Sequence, residues 1–222
     1  MPTTPDLRPA LRFLDELARH NQRDWFEAHR PDYEAARGAF EALLEEIIDA
    51  FRQGDGLGGL TARDCVARIH RDVRFSKDKS PYKTNLAAVI ATGGWRNSVH
   101  GYYLHLEPHG CSLVGGGLHD PTPQQLERFR QAVAADPAAL RKATSGKVFV
   151  EIFGEIEGER LKTAPRGWDP AHPEIATLRL KQVLAMRRLS DEQMTSPDLA
   201  AQLIRACRAL RPFLDWLAAI SA

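Results

Sequence analysis

Cys65-Val66-Ala67-Arg68-Ile69-His70-Arg71-Asp72-Val73-Arg74-Phe75 is the stretch on which the fold class turns. Most odd positions are apolar, while Arg68, His70, Asp72 and Arg74 occupy the even ones. A period of two belongs to a strand with one face on a core and the other polar. More strand signals follow it. Leu86 to Ala91 is a short apolar run, and Gln182 to Met186 adds a further candidate. Tyr102 to Glu107 and Cys111 to Val114 flank Pro108-His109-Gly110. Pro at the second turn position and Gly at the fourth predict a type I hairpin turn with a bulge.

Helical periodicity surrounds this region. Leu11, Leu14 and Leu17 share one face of a first helix, with Phe13 beside them. Asp24-Trp25-Phe26-Glu27 has capping-box spacing and predicts a short helix. Tyr33, Ala36, Phe40, Leu43, Leu44, Ile47, Ile48 and Phe51 form one apolar stripe, so a long helix is expected over 32–52. Gly54, Gly56, Gly58 and Gly59 then form a loop. Thr122-Pro123-Gln124-Gln125 and Asp136-Pro137 each open a helix, and Ser196-Pro197 opens a last one, kinked or broken near Pro212. Residues 147–168 stay ambiguous, with turns at Gly154, Gly158 and Gly167. The expected fold is α+β: a single domain over residues 1–222, with a central antiparallel sheet of about four or five strands flanked by N-terminal and C-terminal helices.

Composition narrows the functional classes. The chain has 222 residues, 43% of them hydrophobic, enough for a core without disulfide or metal staples. Cys65, Cys111 and Cys207 are odd in number and unpaired in spacing, which points to a reducing, cytoplasmic setting. The N-terminal segment carries charges throughout and reads as neither signal peptide nor anchor, and no apolar run is long enough to span a membrane. The formal charge of +1 argues against a generic nucleic-acid binder, but it is unevenly spread. Residues 1–60 hold seven Arg against twelve Asp or Glu, a net of −5; residues 63–83 hold seven Lys or Arg against three Asp, a net of +4.

That basic excess marks the candidate site. Arg71, Arg74, Lys77, Lys79 and Lys83 fall within thirteen residues on a strand-to-loop exit. Arginine forks and lysine point charges suit phosphate or carboxylate groups, Asp72 is placed to orient a guanidinium, and Tyr82 offers a ring and a hydroxyl. The opposing reading is that these charges pair with one another at the surface, contributing about 0–1 kcal/mol per pair. Tyr103, His105 and Glu107 alternate along one strand face. Five histidines, His70, His100, His105, His109 and His119, fall between residues 70 and 119, but their spacings match no standard zinc motif. The Gly115-Gly116-Gly117 run would let backbone approach a ligand closely. Trp25, Trp168 and Trp216 read as packing anchors, whereas Trp95 sits in a polar loop. No phosphate-binding loop and no serine-hydrolase elbow occurs.

Arg71-Asp72-Val73-Arg74-Phe75-Ser76-Lys77-Asp78-Lys79-Ser80-Pro81-Tyr82-Lys83 resembles the hallmark of the family catalogued as domain of unknown function 2461. Asn21-Gln22-Arg23-Asp24-Trp25-Phe26, Gly101-Tyr102-Tyr103-Leu104-His105-Leu106-Glu107-Pro108, Gly115-Gly116-Gly117-Leu118 and Pro212-Phe213-Leu214-Asp215-Trp216-Leu217 extend the resemblance over nearly the whole chain. So do Leu161-Lys162, Pro165-Arg166-Gly167 and His172-Pro173. It implies a cytosolic protein in one piece and carries over no activity and no catalytic residues. The functional expectation therefore rests on the residues themselves. It is a pocket for the phosphate or carboxylate group of a small molecule or nucleic-acid end, lined by Arg71, Asp72, Arg74, Lys79, Tyr82, Lys83 and His105, with no metal, no cofactor and no membrane. An interaction module whose basic loop meets an acidic partner is the alternative. A metal-dependent enzyme using His105 and His119 ranks third.

Overall fold

The computed structural model describes residues 4–52, 57–97 and 101–221, leaving Gly54, Gly56 and His100 outside the described residues. The fold is α+β, with a four-stranded antiparallel sheet ordered β1-β2-β3-β4. Its strands are β1 (Leu86–Ile90), β2 (Tyr102–Leu106), β3 (Ser112–Leu118) and β4 (Val183–Leu189). The chain forms two compact units: one of Met1–Ser98, Tyr103–Val114 and Arg188–Ile204, the other of Val99–Tyr102, Gly115–Arg187 and Arg205–Ala222. No helix among the described residues is long and apolar enough to cross a membrane.

In the first unit, α1 (Arg8–Arg19), α2 (Arg23–Ala28), α3 (Arg30–Phe51) and α4 (Ala62–Cys65) precede β1. All eight residues of the apolar stripe are buried in α3, which packs on α1, α4 and β1. The short helix expected at Asp24 starts one residue earlier, at Arg23, and Gln22 makes no side-chain cap. Asp24 instead lies inside the first turn, where a carboxylate favours the helix N-terminus.

The stretch from Cys65 to Phe75 departs from the expected strand. Cys65, Ala67 and Ile69 are buried as the alternation requires, but only Val66 and His70 form bridges, to Ala88 and Tyr82. The Ala67 N–H donates to Ala87 O and the Lys83 N–H to Ile69 O, at 2.8 Å each. Two steps along one chain thus face four along the other, so a bulge breaks the ladder. Beyond Arg71, local side-chain bonds replace pairing. Phe75, expected on the core face, is 96% exposed.

The β2–β3 turn also differs from the expected type I geometry. His109 and Gly110 both have positive φ, 63° and 69°, and the Cys111 N–H donates to Pro108 O at 3.3 Å. Two consecutive positive φ values mark the I′ class, whose twist matches flanking strands. The carboxylate of Asp191 accepts both turn amides, His109 N–H at 3.0 Å and Gly110 N–H at 2.9 Å. Asp191 opens α9 (Asp191–Met194).

The second unit holds α5 (Pro123–Ala135), α6 (Pro137–Thr144), α7 (Lys147–Phe153), α8 (Ile175–Leu178) and most of β4. Thr122 and Gln125 form the expected capping box, and Asp136 caps α6. The ambiguous span resolves into α7 and an extended piece bridged to β4 through Glu157↔Leu184 and to Leu180 through Arg160. The last helix, α10 (Leu199–Ser221), runs unbroken through Pro212 rather than ending there. Gly115 and Gly117 serve packing: a Cβ there would stand 2.2 Å from Ala185 O and 2.1 Å from Val183 O. Their missing side chains admit the β4 backbone.

Candidate anion-binding cleft

The basic segment does not converge as a single cluster. It holds itself together. Arg74 grips Asp72 with two bonds, Nε to Oδ1 at 3.0 Å and Nη2 to Oδ2 at 2.7 Å. Arg71 pairs with Asp78 and also donates to Ser80 O at 3.3 Å. Lys79 Nζ donates to Val73 O at 2.9 Å. Asp78 accepts from the Ser80 hydroxyl at 2.6 Å and the Ser80 N–H at 2.9 Å. Those two bonds, then the Arg71 guanidinium, hold its carboxyl far below the usual range. Asp72 is likewise lowered, chiefly by Arg74. Each aspartate thus occupies a cation that the sequence offers for a ligand.

Tyr82 is a buried anchor. Its ring stacks on Phe26 at 4.0 Å and 14°, and its backbone exchanges two 3.0 Å bonds with the Asn21 amide. Neither the ring face nor the backbone is left for a ligand.

Lys83 departs from the rest. Its Nζ sits 5.6 Å from the centroid of the Trp95 ring, a cation–π distance. Partial burial, and then the nearby Arg68 guanidinium, lower its pKa. Trp95 and Arg68 line a cavity of about 760 Å³ together with Arg63, Asp64, Val66 and Gly93. Arg68 makes no hydrogen bond or ion pair with any described residue, and Arg63 lies 3.9 Å from Glu41 at an 83% exposed side chain. The alternation in 65–69 explains this arrangement. It buries Cys65, Ala67 and Ile69 and turns Arg68 outward beside Lys83, which is bonded through its backbone to Ile69.

His105 belongs to another group. Its Nδ1 lies 2.9 Å from the Tyr103 hydroxyl and its Nε2 lies 2.8 Å from Glu107 Oε2. Thr84, next to Lys83 in the chain, donates to Glu107 Oε1 at 3.4 Å. Among the described residues, no three His, Cys, Asp or Glu side chains gather as metal ligands. Cys65 is buried, and burial followed by Asp64 and Glu45 pushes its thiol up to about 12, so it stays protonated.

Of the seven residues read from the sequence, then, Arg71, Asp72, Arg74 and Lys79 close on their own loop, Tyr82 packs inside, and His105 joins a polar chain on β2. Lys83 alone stands beside the cleft. Arg68, Arg63 and Trp95 complete it. Arg68 was legible as an outward position of the alternating stretch, and Trp95 as a tryptophan in a polar loop. Their meeting depends on how the bulged pairing is registered.

These features define a small α+β protein with a basic, aromatic-walled cleft. The chain belongs to the family described as conserved hypothetical protein (DUF2461), whose family model matches residues 9–216. Neither a curated protein nor a solved structure matches it.

Proposed function

We propose that the first unit binds a phosphate- or carboxylate-bearing small molecule in the cleft beside Arg68, Lys83 and Trp95. One observation carries this reading. Arg68 and Trp95 line one cavity with Lys83 Nζ 5.6 Å from the Trp95 ring, and Arg68, though near enough to help lower the Asp72 pKa, forms no hydrogen bond or ion pair with a described residue. Neighbouring like charges that no bonded carboxylate neutralises are an electrostatic cost that a bound oxyanion relieves. An arginine fork would take two oxygens, the lysine a third, and the Trp95 face an attached planar group. Titrating pyrophosphate into ¹⁵N-labelled protein tests it. Shifts should concentrate on Arg68, Lys83 and Trp95, whereas shifts centred on Arg71 to Lys79 would place the anion on the loop.

A second reading is supported by Phe75. A 96% exposed phenylalanine, with the Arg74 guanidinium 5.9 Å from its centroid, stands on a loop that keeps a positive excess, Arg71, Arg74, Lys77 and Lys79 against Asp72 and Asp78. That suits an apolar contact with an acidic protein partner. Loss of partner capture on Phe75→Ser, with pyrophosphate binding intact, would favour it.

A further inference from the structure

Tyr103 and His105 share one face of β2, because alternate strand residues do, and Glu107 follows directly after the strand's end. The hydroxyl, imidazole and carboxylate form an unbroken chain at 2.9 and 2.8 Å. The His105 side chain is only 12% exposed. Glu107 is itself fixed. Its N–H donates to Ser112 Oγ at 3.1 Å, Ser112 donates back to Glu107 O at 2.9 Å, and Thr84 reaches its other carboxylate oxygen. Ser112 is fully buried. An ionised carboxylate only accepts, so the proton between Glu107 and His105 resides on Nε2. Nδ1 is then a lone-pair acceptor aimed at the Tyr103 O–H.

We propose that Tyr103, His105 and Glu107 form a nucleophile–base–carboxylate relay that lets the Tyr103 hydroxyl attack an activated ester. This is the relation by which weak hydroxyl nucleophiles are activated: a base within hydrogen-bond reach, oriented by a third group. In the step, the Tyr103 oxygen forms a bond to the electrophilic centre while its proton passes to His105 Nδ1. The bond to the leaving group breaks, and the leaving group departs with that electron pair. The imidazolium, stabilised against the Glu107 carboxylate, returns the proton to the leaving group or to water. Burial, and then Glu107, raise the pKa of Tyr103, so the phenol holds its proton at neutral pH and depends on His105 to lose it. This inference does not depend on the anion cleft.

Phenylmethanesulfonyl fluoride is a direct probe. The Tyr103 oxygen would bond to sulfur, the S–F bond would break, and fluoride would leave as the proton passes through His105 to water. Peptide mass spectrometry should find the adduct on Tyr103 rather than on the buried Tyr33, Tyr82 and Tyr102. Exposure alone would favour Tyr103, so the decisive comparison is the rate. It should fall by about a hundredfold in His105→Gln, the lower range for loss of a general base. It should fall less in Glu107→Gln. No adduct on Tyr103, or an unchanged rate in a folded His105→Gln variant, overturns the relay. Should that variant fail to fold, ¹⁵N spectra of the wild-type ring decide: an Nε2–H tautomer supports the relay, and an Nδ1–H tautomer removes the base and the proposal.

Discussion

Replacing Asp191 with Ala removes the carboxylate that closes the β2–β3 turn. Two backbone donors, at 3.0 and 2.9 Å, lose their acceptor at a turn whose central residues both hold positive φ. Hydrogen bonds to a charged group contribute about 1.5–3 kcal/mol each when well shielded. The His109 bond is exposed and the Gly110 bond part-buried, so water replaces much of that, leaving about 1–2 kcal/mol for the pair. Asp191 is also the first residue of α9, where a carboxylate contributes about 0.3–1 kcal/mol. The expected loss is therefore about 2 kcal/mol, or about 4–8 °C in Tm for a chain of this size. Asp191→Asn, which retains one acceptor and no charge, should fall between. Urea unfolding followed by circular dichroism reads the loss, with an unchanged slope if only the native turn is affected. Amide exchange at His109 and Gly110 should quicken in parallel. A loss below about 0.5 kcal/mol, or unchanged exchange at both amides, would refute the claim that Asp191 holds the turn.

Phe40 is fully buried in α3, so Phe40→Ala should cost about 3–5 kcal/mol in chemical denaturation. His109→Gly should leave stability nearly unchanged or raise it: left-handed strain of about 1–2 kcal/mol is relieved. The bond to Asp15 that is lost is 73% exposed at His109 and contributes about 0–1 kcal/mol. Lys83 has a folded pKa below its unfolded value, so the folded protein binds fewer protons there and stability rises as pH climbs through that interval. Lys83→Met should accordingly raise Tm at neutral pH, with the gain vanishing in the alkaline range where unfolded lysines also deprotonate. Asp78→Ala should release Arg71 and Ser80 and make the loop between them more sensitive to limited proteolysis, without lowering Tm appreciably.

The long-period features were readable from the residues because one local rule governs each. The α3 stripe follows helical spacing, and its eight positions are all buried. Thr122 and Asp136 cap helices through bonds that span three residues or fewer. The failures lie where two rules competed. The alternation from Cys65 describes burial correctly as far as Ile69, yet a bulge set by the partner chain near Asn85 disrupts the ladder. The turn at His109 follows Asp191, 82 residues away, rather than its own proline. The site diverged for a related reason. Counting charges finds Arg71, Arg74 and Lys79 but does not reveal that Asp78, Asp72 and the Val73 carbonyl already occupy them. Arg68 and Trp95 lie 27 positions apart in the sequence and line the same cavity only after the chain has folded back.

The central claim is that Arg68 and Lys83 form an anion site while the loop arginines do not. Melting temperatures in pyrophosphate and in chloride at equal ionic strength, for the wild type, Arg68→Ala and Arg74→Ala, test it most directly. Ligand at 100 times its dissociation constant should stabilise the fold by about 2.7 kcal/mol. The account predicts that pyrophosphate raises Tm in the wild type and in Arg74→Ala, whose guanidinium is held by Asp72, and that Arg68→Ala abolishes the gain. Equal melting temperatures in both anions, or a gain that survives Arg68→Ala and disappears in Arg74→Ala, would contradict it.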